Sequence, residues 1–288
     1  MFTVRERMLA KASGAHRPVV AFQGEHGAYS EEATLAFFGE SLRTKPCRAL
    51  KEVFRDVEGG AAEFGVVPVE NSLEGSVNQT YDCLLQSPLR VCAELKLRVS
   101  HCLLGLPGTS SQDIRVVYSH PQALAQCSVF LETLRAVEEP VYDTAGSAKM
   151  IREKEMRDAA AIASEKAATL YGLNVLKKGI EDFSENFTRF LVVGQSQPAQ
   201  TGRDKTSMVF GTKHSPGALH QALGQLATRG INLTKIESRP IKGKPWEYVF
   251  FVDFEGHQSD PVCFDALDAL ESSTTFVKFL GSYPLINA

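Results

Sequence analysis

The chain has 288 residues, 43% hydrophobic and 23% charged, with 31 basic and 34 acidic side chains and a formal net charge of -3. That is enough apolar material for more than one core and favours two domains. The balanced charge, without a long basic block, argues against nucleic acid as the main partner. No run approaches the roughly 18 apolar residues of a membrane helix. The opening segment MFTVRERMLAKASGAH lacks the apolar stretch of a secretory signal. The six cysteines form no CxxC pair, and the seven histidines show no zinc spacing. The expectation is a cytoplasmic protein with reduced thiols, without metal or cofactor.

PVVAFQG, residues 18–24, reads as a buried strand ending in Gly. A helix should follow, capped by Ser30, with Glu31 and Glu32 at its positive end and Gly39 as its stop. Leu50, Val53, Phe54 and Val57 fall at i, i+3, i+4 and i+7, which predicts an amphipathic helix over 49–58, closed by Gly59-Gly60. FGVVPVE (64–70) is a second buried strand running into the polar turn NSLEGS. Strand-like stretches follow at 91–104 and 115–119, and a helix starts at Pro121. DTAGSAKMIRE (143–153) is a turn into a helix. DAAAIAS (158–164) is an apolar strand, a helix runs to Gly172, and RFLVV (189–193) is a last strand. Alternating strands and helices imply an α/β domain with a largely parallel sheet.

QSQPAQTGRDK, residues 195–205, is polar and reads as a linker. A distinct unit follows. TSMVFG is a strand. SPGALHQALGQLATRG is a helix capped by Ser215, with Pro216 in its first turn and Leu219, Ala222, Leu223 and Leu226 on one face. INLTKIESRPI and EYVFFVDFEG are strands, DPVCFDALDALESS a helix, and FVKFLGSYPL a strand. The order βαββαβ is that of a ferredoxin-like fold.

Ligands in α/β proteins sit at sheet-end turns. Polar turns of that kind are QGEHGAYS (23–30), PVENSLEGS (68–76), SHPQALAQC (119–127) and NFTRF (186–190). DTAGSA (143–148) could bind an anion with backbone N–H groups. Each also has a plain structural reading. The Gly turn could only start a helix, Asn71 could only close a turn, and Gln122 and Gln126 could be solvated. Thr188 could be an ordinary strand residue and Arg189 one half of an ion pair.

Taken together and in order, these motifs are more specific. Gly24-x-x-Gly27-Ala28-Tyr29-Ser30, PVENS, SHPQ…QC, DTAGSA, AAIAS and the TRF triplet resemble the catalytic domain of the prephenate and arogenate dehydratase family over residues 18–194. Residues 206–284, with SPGAL and ESRP, resemble the ACT regulatory domain that this family carries. The resemblance implies a two-lobed α/β catalytic domain like a periplasmic binding protein, plus a ferredoxin-like βαββαβ ACT domain. One lobe is expected at about 18–95 with 173–194 and the other at about 96–172, after an extension over 1–17.

The reaction implied is loss of carbon dioxide and water from prephenate, giving phenylpyruvate. The alternative is the same reaction on arogenate, giving phenylalanine. Neither needs a nucleophile. By resemblance Thr188 donates a hydrogen bond, or relays a proton, to the leaving hydroxyl, and Asn71 and Gln126 are the catalytic amides. Arg189 is expected to hold a substrate carboxylate. Ser30, Ser72, Phe190 and the N–H groups of Thr144, Ala145, Gly146 and Ser147 are expected substrate contacts. For arogenate, an acidic partner is expected from Glu70, Glu74 or Glu185. At the ACT domain, Pro216, Gly217, Ala218, Leu219, Asn232, Glu237, Ser238 and Arg239 are expected to bind L-phenylalanine as effector, in a homodimer or homotetramer paired through ACT domains. With so short an extension ahead of the catalytic domain, no chorismate mutase activity is expected. The rival of another class is a non-catalytic amino-acid sensor.

Overall fold

The computed structural model describes residues 17–285 apart from 242 and 245, so the expected extension over 1–17 lies, but for Arg17, outside the described residues. The first sheet is built from β1 (Val19–Gln23), β2 (Arg43–Cys47), β3 (Phe64–Asn71), β4 (Gly75–Ser76), β5 (Arg90–Arg98) and β11 (Phe187–Gly194). Its order is β2-β1-β3-β11-β5, with β4 paired to β3. Helix α1 (Tyr29–Phe38) covers one face, and α2 (Leu50–Glu58) and α3 (Asn78–Gln86) lie on the other. The amphipathic stripe works as its spacing predicts: Leu50, Val53, Phe54 and Val57 are buried. The N-cap of α1 is Ala28 and not Ser30, which lies within the first turn. Gly39 closes the helix as expected.

The second sheet contains β6 (Cys102–Gly105), β7 (Val116–Ser119), β8 (Val137–Pro140), β9 (Ala159–Ala163) and β10 (Asn174–Lys178), in the order β10-β6-β9-β7-β8. Helices α4 (Pro121–Ala125), α5 (Ser128–Leu134), α6 (Thr144–Glu153) and α7 (Glu165–Tyr171) accompany it. Only β1 with β2 and β3, and β7 with β8 and β9, pair in parallel. The expected largely parallel sheet is therefore two mixed sheets. The chain crosses between lobes twice, after β5 and after β10, and the strands flanking those crossings run antiparallel to their neighbours. Residues 174–178 pair with β6, so they belong to the second lobe and not the first. The strands missing from the sequence reading, β2, β8 and β10, are sheet edges. Charge and partial exposure leave them without an apolar run.

The third sheet contains β12 (Asp204–Gly211), β13 (Leu233–Pro240), β14 (Tyr248–Glu255) and β15 (Phe276–Pro284), all antiparallel, in the order β13-β14-β12-β15. Helices α8 (Ala218–Ala227) and α9 (Pro261–Ser273) pack on one face through Met208, Phe210, Val252 and Phe254. This is the βαββαβ unit predicted. Gly217, at φ 81, occupies the N-cap of α8, so Ser215 and Pro216 lie outside the helix. The other face, with Val209, Val249, Phe251 and Leu280, shares one core with Val69, Tyr81, Leu84 and Leu191 of the first lobe. The βαββαβ unit thus sits on the back of the first lobe.

Candidate active site

A cavity of about 330 Å3 opens between the two lobes. Lobe one contributes Ser30, Asn71, Thr188 and Phe190, and lobe two contributes Gln122, Gln126, Asp143 and Thr144. Asn71 ends β3, and Thr188 lies opposite it in the register of β11. Side chains alternate along a strand, so Thr188 and Phe190 face the cavity while Arg189 faces away.

A single anchor fixes the polarity of the whole site. Asn71 Oδ1 accepts from the backbone N–H groups of Leu73 and Glu74 at 3.0 and 3.1 Å. Its Nδ2 therefore donates, to Asn186 Oδ1 at 2.7 Å and to Thr188 Oγ1 at 3.0 Å. Asn186, wholly buried in the second crossing, must then donate through Nδ2, and does so to Gln126 Oε1 at 2.9 Å. The same oxygen lies 3.0 Å from His101 Nε2, so that nitrogen carries the proton. Nδ1 of a neutral His101 is an acceptor, and the Tyr29 hydroxyl lies 2.9 Å away, shared with Ser100 O at 2.7 Å. Burial, outweighing the Gln126 bond and the Glu181 charge, holds the His101 pKa below its ordinary value, which keeps the ring neutral. Burial likewise pushes the Tyr29 hydroxyl well above its usual range.

Three donors are left over. Thr188 Oγ1 accepts from Asn71, so its O–H is available to a ligand. Gln126 Oε1 is saturated by two donors, so its Nε2 is available too. His120 caps α4 by accepting the Gln122 N–H at Nδ1, which leaves Nε2–H as a third donor lining the cavity. Among the described residues no Lys or Arg lines the cavity, and Asp143 is its one carboxylate.

The other expected contacts divide. Ser30, Thr144 and Phe190 line the cavity. Ser72 does not: its hydroxyl donates to Glu185 O and accepts from Phe187 N, pinning the β3–β4 turn to the second crossing. Ala145 and Ser147 are wholly buried, and the Gly146 N–H is taken by Asp143 Oδ1 at 2.7 Å. The anion expected at that helix start is thus the chain's own Asp143. Arg189 is also corrected. Its guanidinium lies 2.7 Å from both Glu94 and Asp253, behind the strand, and reaches no cavity residue. Glu70 pairs with Lys235 and is not in the cavity lining, and neither Glu74 nor Glu185 lines it. In the βαββαβ unit, Glu237 accepts from Ser76 and Arg239 faces Asp82, both on the first lobe. They lie on the sheet face away from α8, whereas Asn232, Ser238, Pro216 and Gly217 are exposed. Sequence reasoning missed His101 outright, and it named Tyr29 within the Gly24–Ser30 motif without giving it a role. Asn186 carries a signal, its place beside Thr188, but no role.

The Gly24–Gly27 turn is where the lobes touch. Gly24 (φ 112) abuts Asp143: a Cβ there would lie 2.8 Å from its carboxylate. Gly27 (φ 89) abuts Ala167, 3.1 Å from the same virtual atom. Around them Ser164 donates to Gly27 O, Tyr171 to His26 O, and Tyr142 and Lys149 to Glu25.

The model of the prephenate dehydratase family matches residues 20–198, and that of the ACT domain matches 206–272. Arogenate dehydratase/prephenate dehydratase 2 of Arabidopsis thaliana is 44% identical, over 97% of this chain and 76% of its own. A prephenate dehydratase from Arthrobacter aurescens, solved in complex with L-Phe, superposes with a TM-score of 0.85 at 34% identity, covering 94% of this chain and 93% of its own. GqqA, described as a novel type of quorum quenching acylase, also superposes at 0.85, with 36% identity over 93% of this chain and 98% of its own. By family model, relatives and fold, the chain belongs to the prephenate dehydratase family.

Proposed function

We infer that the protein converts prephenate to phenylpyruvate and is restrained by L-phenylalanine at its ACT domain. The observation that carries this is the pairing of a free Thr188 hydroxyl with a cavity lined, among the described residues, by neutral donors and no Lys or Arg. As the ring carboxylate departs, its bonding electrons enter the ring. The C–O bond opposite then breaks, and the departing oxygen takes a proton, relayed from solvent through Thr188, to leave as water. Thr188 donates to that oxygen as charge develops on it, and the Gln126 amide and His120 orient the substrate. A cation against the departing carboxylate would stabilise the ground state and oppose its loss. Arg189, turned away, avoids that.

A hydrolytic acylase is disfavoured. Its hydroxyl nucleophile needs a base, yet Thr188 faces the Asn71 amide donor, and Ser30 has no described histidine partner. Arogenate as substrate is the second reading, favoured by Asp143, a carboxylate placed in the cavity where an ammonium could meet it.

The six cysteines are free and buried, in keeping with a reducing compartment, which we take to be the cytoplasm. No helix among the described residues is long and apolar enough to cross a membrane. The edge strand β13, with Ile236 exposed, is the surface we assign to pairing of ACT domains in a homodimer or homotetramer. Separate incubation with prephenate and arogenate, with and without L-phenylalanine, tests the reading. Turnover mainly of arogenate moves the protein to the second reading. No turnover of either substrate refutes both.

A further inference from the structure

Thr188 and Arg189 are adjacent in sequence and face opposite sides of β11. The first enters the cavity. The second is buried against the ACT domain, where its guanidinium meets Glu94 of β5 and Asp253 of β14, each at 2.7 Å, and the Tyr283 hydroxyl of β15 at 3.2 Å. Each acid is itself held. Glu94 binds Lys205 of β12 at 2.6 Å, and Asp253 accepts from Ser207 of β12 at 2.5 Å. Ser207 in turn touches Tyr283 at 2.8 Å. Burial alone would make Arg189 less basic, but Asp253 and Glu94 outweigh it and hold it charged. A buried cation cannot be left without its partners cheaply, so the position of Asp253 and that of Arg189 are bound together.

Two features place this cluster at a joint. A register shift between Arg189 and Phe190 marks a bulge against β3 at this step, opposite Pro68, which has no N–H to give. A cavity of about 10 Å3, room for about one water, lies at the domain boundary among Tyr81, Arg189, Lys235 and Asp253. The Tyr81 hydroxyl beside it is buried without a hydrogen-bond partner among the described residues. At this point the contact between domains is held by charge and leaves a small gap in the apolar core that the two units otherwise share.

We propose that Arg189 is a positioning residue through which the ACT domain acts on Thr188. A shift of β14 relative to the first lobe carries Asp253. Arg189 follows it or loses a buried partner, and the shared peptide turns the Thr188 hydroxyl out of line with the departing oxygen. Glu94 lies on β5 beside β11 and stays with Arg189, whereas Asp253 lies on β14 in the other sheet, so Asp253 is the moving contact. This rests on the dehydratase reading and deepens it, by naming how effector occupancy reaches the cavity.

The test compares wild type, Asp253→Asn and Arg189→Lys in the full chain, using L-phenylalanine as the probe. Wild type must turn over prephenate and be inhibited; a wild type that does neither takes down both this inference and the dehydratase reading. Asp253→Asn is expected to keep more than about half its activity at saturating L-phenylalanine, while calorimetric affinity for the effector stays within about threefold, since the coupling and not the effector site is cut. Arg189→Lys keeps the charge but loses the fork. It is expected to lower kcat about tenfold or more with KM little changed, because Thr188 acts only as the C–O bond breaks. Undiminished inhibition in Asp253→Asn overturns the inference, as does loss of effector binding itself. If Asp253→Asn does not fold, Arg189→Lys decides alone: unchanged kcat and unchanged inhibition refute the role.

Discussion

Replacing Thr188 with Val keeps the size and branching of the side chain and removes its hydroxyl. In the resting protein little is lost. Asn71 Nδ2 gives up the Thr188 oxygen at 3.0 Å but keeps Asn186 Oδ1 at 2.7 Å and Phe187 O at 3.3 Å. The stability cost should therefore stay within about 0.5–1.5 kcal/mol, the net worth of one such bond. The effect on catalysis is of another order. On the proposed mechanism the hydroxyl donates as the ring oxygen departs, and removing one well-placed donor costs about 10²–10³ in rate. Steady-state kinetics with prephenate should show that loss in kcat, with KM within about threefold, the pattern of an interaction made in the transition state. Thr188→Ser, which keeps the donor, should lie within about tenfold of wild type. A Thr188→Val enzyme with kcat near wild type, or with a change confined to KM, would remove Thr188 from the bond-breaking step.

Asn186→Leu leaves Asn71 Nδ2 and Gln126 Oε1 each short of a buried partner, so a loss of about 1–3 kcal/mol is expected in denaturant unfolding, together with a fall in kcat. The pKa of His101 is held below its ordinary 6.5 by burial, so the unfolded chain takes up its proton first. Stability contributed by the neutral ring is full above about 6.5 and falls as pH drops from there towards the lowered folded value. Protonation of the folded ring turns Nδ1 from acceptor to donor against Tyr29, so kcat/KM, corrected for the uncatalysed reaction, should fall at the acid end of that window, around the lowered folded value. His101→Gln should flatten that limb; a pH profile like that of wild type in this variant would show that another group titrates. Gly27→Val places a β-branched side chain at φ 89 against Ala167 in the other lobe. It should raise KM and lower the melting temperature, and wild-type values for both would mean that the lobes need not close at this seam. Lys278 donates to the carbonyls of Leu84, Leu85 and Ser87 at the end of α3. Lys278→Met should cost up to about 2 kcal/mol by thermal unfolding, and no change would mean that water satisfies those carbonyls as well.

What the sequence alone determined was local. The helix over Leu50–Val57, the buried runs of β1 and β3, the βαββαβ order of the second unit, and the motif residues Asn71, Gln126 and Thr188 were all legible, because period, punctuation and motif are properties of neighbouring residues. Edge strands such as β8 escaped because charge and exposure erase the apolar run. Alternation along β11 by itself puts Thr188 and Arg189 on opposite faces, but it does not say which face meets substrate. The same holds for β13, where Glu237 and Arg239 turn to the first lobe. Asn186 and His101 are each ordinary residues in the sequence. They lie 85 positions apart by their numbers, and only the two crossings between lobes bring both to Gln126 Oε1, where one amide oxygen accepts from each. The tertiary structure also decided that Arg189 stays out of the cavity. That follows from which face of β11 lines the cavity, and the ACT domain docked on the other face supplies Asp253 as a partner for Arg189 there.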